Sequence, residues 1–238
     1  MPRTKSTSHA SGTRPDPGEK PVAPKSAAGR NARAKTPTRK RGHARVAQLL
    51  DGATAVFRER GYGAATMTEI AARAGAPIGS LYQFFPSKQS LVDALVERYG
   101  EHVVEALDAV EARAASLSAA QLARAFIGIF VDLRQERLLV VGLLDASWQE
   151  PSVRPARLRH LLRARIGAIL RLWRPGVATD AAQVHAIVVL QMMKSHMQML
   201  VEEDQPDIPR AAEHWIAMLA DYIGRMDPGA CASGAGAR

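Results

Sequence analysis

Apolar positions recur along this chain every three to four residues, the spacing that lays one face of an α-helix against a core. Val46, Leu49, Leu50, Ala53, Val56 and Phe57 mark a first helix over residues 45–60, stopped by Gly61-Tyr62-Gly63. Thr66 suits a helix N-cap, and Glu69 three residues on completes a capping box. The short helix so opened carries Met67, Ile70, Ala71 and Ala74 on one face. Gly75 closes it, because glycine tolerates the left-handed backbone of a C-terminal cap. Pro77 suits the first turn of a third helix, where a missing N–H costs nothing. Through residue 84, Ile78, Leu81 and Phe85 form its inner stripe, and Gly79, Ser80, Tyr82 and Gln83 face outward. Pro86 ends it, and Ser87 caps a long helix to about residue 115, with Leu91, Leu95, Val103, Leu107 and Val110 on the buried side.

The same spacing predicts helices over residues 118–134, 136–149, 156–173, 180–203 and 210–226. The run from Leu138 to Leu144 has a strand's length, but no second strand-like run exists to pair with it, so it reads as helix. The fold class is therefore all-α, with about nine helices. The eighth helix is apolar on more than one side, and such a helix needs cover on both. One cover is its own body. The other is expected to be a second copy, meeting it in a four-helix contact through Val184, Val188, Met192, Met199, Trp215, Leu219, Tyr222 and Met226.

Composition adds limits. The 238 residues are 47% hydrophobic but only 5% aromatic, so aliphatic side chains must fill the core. No apolar run approaches the roughly 18 residues of a membrane helix, and the N-terminus lacks the apolar segment of a signal peptide. A single cysteine, Cys231, provides neither a disulfide framework nor a cysteine metal site. A cytoplasmic protein is expected. Residues 1–42 carry 11 Lys/Arg against 2 Asp/Glu, so the whole net charge of +9 lies there and the remainder is neutral. That segment is too poor in large apolar residues to offset its ordering entropy and reads as a disordered basic arm. It stands open whether the arm follows DNA phosphates or is a solvated tail. Residues 228–238 read as a flexible tail.

Catalytic chemistry finds no foothold. There is no glycine-rich phosphate loop, HExxH or GxSxG. The histidines lack metal-ligand spacing, so no enzyme activity, metal or cofactor is expected. Tyr99, Phe126, Phe130, Leu143, Trp148, Met192 and His196 are candidates to line a small-molecule pocket, and each also reads as plain core.

Two short helices joined at a glycine corner form a helix-turn-helix, which sets its second helix in the DNA major groove; a packed corner far from DNA has the same pattern. Gly79 and Ser80 permit close approach, Tyr82 suits a phosphate, and Gln83 suits a base edge. Here the residues carry a resemblance. Gly75, Gly79, Ser80, Leu81, Tyr82, Phe85, Ser87 and Lys88, preceded by Thr66, Ile70, Ala71 and Ala74, closely resemble the signature of tetracycline-repressor-type (TetR family) regulators over residues 43–95. The resemblance implies a DNA-binding domain over residues 43–90, a helical ligand-binding and dimerisation domain over residues 91–227, and no catalysis. It also implies DNA contacts by Arg45, Thr66, Thr68, Pro77, Ile78, Gly79, Ser80, Tyr82, Gln83 and Lys88. Pro77 and Ile78 depart from the polar residues usual in the family, and Ile78 suits a thymine methyl better than a hydrogen bond. The function expected is a homodimeric, sequence-specific transcriptional repressor on a palindromic operator, released by a small-molecule effector. A general DNA-coating protein working through the basic arm is the alternative.

Overall fold

Residues 40–147, 154–202 and 207–226 are described by a computed structural model. Residues 1–39 of the expected arm, Trp148, and the tail with Cys231 lie outside the described residues, while residues 40–42, expected in the disordered arm, are helical. Nine α-helices and a short 3₁₀ turn make up the described chain: α1 (Lys40–Ala64), α2 (Met67–Arg73), α3 (Ile78–Phe84), α4 (Lys88–Glu111), the turn (Ala114–Ser116), α5 (Ala119–Asp132), α6 (Arg134–Ala146), α7 (Arg154–Trp173), α8 (Thr179–Met199) and α9 (Ile208–Gly224). The all-α expectation holds, and the run Leu138–Leu144 is helical, inside α6.

Local chemistry explains most of the ends. Thr66, Ser87 and Ser118 each close a reciprocal capping box with the third residue of the helix that follows, contributing about 1 kcal/mol apiece. Gly61 has φ 72°, so α1 kinks there as only glycine readily allows, and its last residues turn toward α4. Leu49, Ala53, Val56, Ile70, Ala71, Leu81 and Phe85 join Leu91, Leu95, Tyr99, Phe126, Phe130 and Ile166 in one continuous apolar cluster.

Helix α4 is the long strut of the molecule, packing on α1, α5, α6 and α7. At its start the Lys88 ammonium donates to the carbonyls of Tyr62 (2.8 Å) and Gly63 (3.2 Å), and sits 4.7 Å from the centre of the Tyr62 ring. Near its middle, Arg98 donates to Asp51 Oδ1 (2.7 Å) and Thr54 Oγ1 (3.0 Å) of α1. Farther along, His102 Nδ1 meets Glu136 of α6 at 2.8 Å. Near its end, Asp108 and Glu111 both hold Arg165 of α7, the latter at 2.8 Å.

In the second half, α7 packs broadly on α8, and α5 on α9. This packing corrects part of the expected dimer face. Leu219 and Met226 are 0% and 2% exposed within the chain's own core, so neither is free to meet a second copy. Trp215 is also engaged, its indole N–H donating to the Met192 carbonyl (3.0 Å), and Tyr222 shares a 2.8 Å hydrogen bond with His185 Nδ1. Val184 is exposed, Val188, Met192 and Met199 are half-buried, and Ile187 and Met218, outside the expected set, are exposed.

Candidate nucleic-acid interface

The corner between α2 and α3 is built by backbone geometry first. After α2, Gly75 takes φ 58°. Its N–H donates to the Ala72 carbonyl (3.0 Å), and the N–H of Ala76 donates to the Ala71 carbonyl (2.9 Å). This paired closure satisfies two end carbonyls of α2 and fixes the direction in which α3 leaves. A third carbonyl, that of Ala74, accepts from Gln48 Nε2 of α1 at 2.6 Å. Gly52 of α1 lies under the same point: a Cβ there would stand 2.7 Å from Ala74 Cβ and 2.9 Å from its backbone N. Neither Gln48 nor Gly52 was foreseen as functional, although a glycine inside a helix is a signal that something passes close. On the outer side, Arg73 and Glu59 make two 2.6 Å hydrogen bonds between α2 and α1, and the Arg73 guanidinium holds the Glu59 carboxyl below its usual range.

Helix α3 is held by its second turn. Leu81 (0% exposed) and Phe85 (2%) are in the core, worth about 2–3 kcal/mol each by burial. Ile78 is not with them. At 41% exposed it faces solvent, contrary to the inner stripe expected of it, because the first turn of so short a helix has no element over it to pack against. Thr66, Thr68, Pro77, Gly79, Tyr82 and Gln83 are exposed and Ser80 is half-buried. A Cβ on Gly79 would meet nothing within 4 Å, so nothing inside the protein demands a glycine there. Arg45 is half-buried, donating to Gln48 Oε1 at 3.1 Å. Lys88 spends two of its three ammonium protons on α1 carbonyls, leaving one for another acceptor.

The pocket candidates fall in the other half. Tyr99, Phe126, Phe130 and Leu143 are buried in the common apolar cluster, and Met192 packs against it half-buried. Among the described residues both ring nitrogens of His196 are buried without a hydrogen-bond partner, and the buried Tyr99 hydroxyl has the Arg137 guanidinium close by. Burial pushes the Tyr99 phenol above its ordinary pKa, against the nearby Arg137 guanidinium, and pushes the His196 imidazole down.

Comparison with known proteins decides the family. The model for bacterial regulatory proteins of the tetR family matches residues 49–95, and that for the tetracyclin repressor-like C-terminal domain matches residues 118–223. The HTH-type transcriptional repressor KstR2 of Rhodococcus jostii is 30% identical over 189 residues, 64% of this chain and 93% of that protein. This chain belongs to the TetR family. The HTH-type transcriptional activator FasR of Mycolicibacterium smegmatis is 48% identical over 60 residues, 25% of this chain and 27% of its own. Among solved structures, a TetR-family member from Streptomyces coelicolor superposes with a TM-score of 0.55 at 20% identity, over 74% of this chain and 96% of that one. SmeT, the repressor of the Stenotrophomonas maltophilia multidrug efflux pump SmeDEF, superposes with a TM-score of 0.53 at 22% identity, over 74% and 89%. These two likenesses show the fold. TetR-family regulators bind DNA operators, form homodimers and respond to small-molecule effectors. This TetR-family protein is accordingly a DNA-binding transcriptional regulator and not an enzyme, and the general DNA-coating reading is not favoured. Among the described residues no helix is long and apolar enough to cross a membrane.

Proposed function

We propose that the protein is a homodimeric transcriptional repressor whose two α3 helices enter successive major grooves of a palindromic operator, about 34–36 Å apart or modestly more. The observation that carries this reading is the division of labour on α3: Leu81 and Phe85 anchor the helix while Tyr82, 51% exposed, stands outward with Gln83. Tyr82 takes a backbone phosphate and Gln83 a base edge, with Arg45, Thr66, Thr68 and the remaining proton of Lys88 on flanking phosphates. KstR2, related over nearly its whole length, is a repressor by name, which supports the sign of regulation. The second copy is met by the exposed apolar side chains Val184, Ile187 and Met218, together with half-buried Val188, and the basic segment ahead of α1 serves as an arm for DNA phosphates.

The effector binds between α4, α5, α6 and α8, where His196 offers two buried ring nitrogens without a partner among the described residues and Tyr99 a buried hydroxyl. Movement is passed along α4, tied to α1 by Lys88 and Arg98 and to α6 by His102. An effector that favours one position of α4 resets the spacing of the two α3 helices, provided it binds the two conformers with different affinity. Footprinting of the purified chain on its own upstream DNA tests the reading: a protected palindrome supports it. Tyr82→Ala should weaken that footprint with the unfolding temperature unchanged, and wild-type affinity in this variant would refute the contact.

A further inference from the structure

Of the large hydrophobic side chains described between residues 41 and 130, only two are exposed, Ile78 and Tyr82. They lie one turn apart on the same helix. Tyr82 has a hydroxyl to bring to a phosphate; Ile78 has nothing polar to offer. Its neighbours do not supply what it lacks, since Pro77 has no N–H and Gly79 no side chain. The first turn of α3 therefore presents an aliphatic branch with open space beside it at Gly79.

The floor of the major groove offers one apolar group, the 5-methyl of thymine; every other feature there is a hydrogen-bond donor or acceptor. Building on the operator-binding reading above, we infer that Ile78 determines specificity by packing on a thymine methyl in each half-site. The same branch rejects cytosine and guanine at that position, because their N4 amino group or O6 and N7 would lose water without gaining a partner. The shape of the side chain thus both selects and excludes. Leu81 and Phe85 fix the turn behind it, so Ile78 approaches the groove from a set position.

The test removes one methyl at a time. The full-length protein is used to select a preferred duplex from random sequence, and each thymine in that duplex is then replaced by uracil, which pairs identically but lacks the methyl. Burial of one methyl is worth a factor of about four in affinity, so one uracil position per half-site should weaken binding about fourfold, and about fifteenfold when both half-sites are changed. Ile78→Ala should bind the thymine and uracil duplexes equally, and Ile78→Val should keep most of the discrimination. Because Ile78 is exposed, both variants should unfold at the wild-type temperature. The inference is overturned if every uracil substitution is silent while a preferred site persists, or if Ile78→Ala shows the same thymine preference as wild type. Absence of any preferred site would refute the underlying operator reading instead.

Discussion

Replacing Gly52 by alanine should damage operator binding from a position on the far side of the corner. The added Cβ would lie 2.7 Å from Ala74 Cβ, 2.9 Å from Ala74 N and 3.0 Å from Ala74 Cα. Ordinary carbon–carbon contact is about 3.5–4.0 Å, so α1 and the end of α2 must separate by about 1 Å. Two of the three atoms met are backbone, which no rotamer change can move aside. Separation also stretches the 2.6 Å hydrogen bond from Gln48 to the Ala74 carbonyl, and Ala74 is the residue that precedes the corner glycine. Overpacking of this kind costs about 1–3 kcal/mol, while alanine in place of helical glycine returns about 0.8–1.0 kcal/mol. The net is a loss of about 1 kcal/mol, a fall of about 2–4 °C in unfolding temperature for a chain of this size. Operator affinity should fall by more than stability does, because α3 leaves from the displaced point. Thermal unfolding followed by circular dichroism and fluorescence-anisotropy titration with the protected operator read the two effects separately. A Gly52→Ala protein that melts higher than wild type and binds the operator equally well would refute the reasoning, since it would leave only the helix-propensity gain.

Further outcomes follow from the same contacts. Gly79→Ala should raise stability by about 0.5–1 kcal/mol, as its Cβ meets nothing within 4 Å, yet lower operator affinity, seen in paired melting and binding measurements. Lys88→Met removes two charged hydrogen bonds and the stacking on Tyr62, and should cost about 1–2 kcal/mol in denaturant unfolding. If its third proton reaches a phosphate, the slope of log affinity against log salt also drops by about 1 in that variant. Thr66→Ala should cost about 1 kcal/mol through loss of the α2 cap, with Thr66→Ser restoring most of it because its hydroxyl can still donate to Glu69. Burial holds His196 below its ordinary pKa of 6.5, so its contribution is complete above about pH 6.5 and is lost as pH falls through the folded-state value. The unfolding temperature should therefore decline less between about pH 7 and pH 5 in His196→Met than in wild type, and equal declines would refute the assignment.

What the sequence determined by itself is local. Thr66 with Glu69, Gly75 after α2 and Ser87 before α4 act within four residues of themselves, so the helices, their order and the corner could be read from spacing and caps. The TetR signature is written in the same short range, which is why the family was legible before any contact was known. Tertiary structure decided which side chains remain available for work. Periodicity placed Ile78 with Leu81 and Phe85, but a stripe is buried only where another element covers it, and nothing covers the first turn of α3. Leu219 and Met226 fitted an outward face by spacing and lie instead in the chain's own core, Leu219 because α5 covers α9. Lys88 and Tyr62 are 26 residues apart, and Gly52 and Ala74 are 22 apart; such pairs meet through the packing of helices, and no period along the chain encodes them.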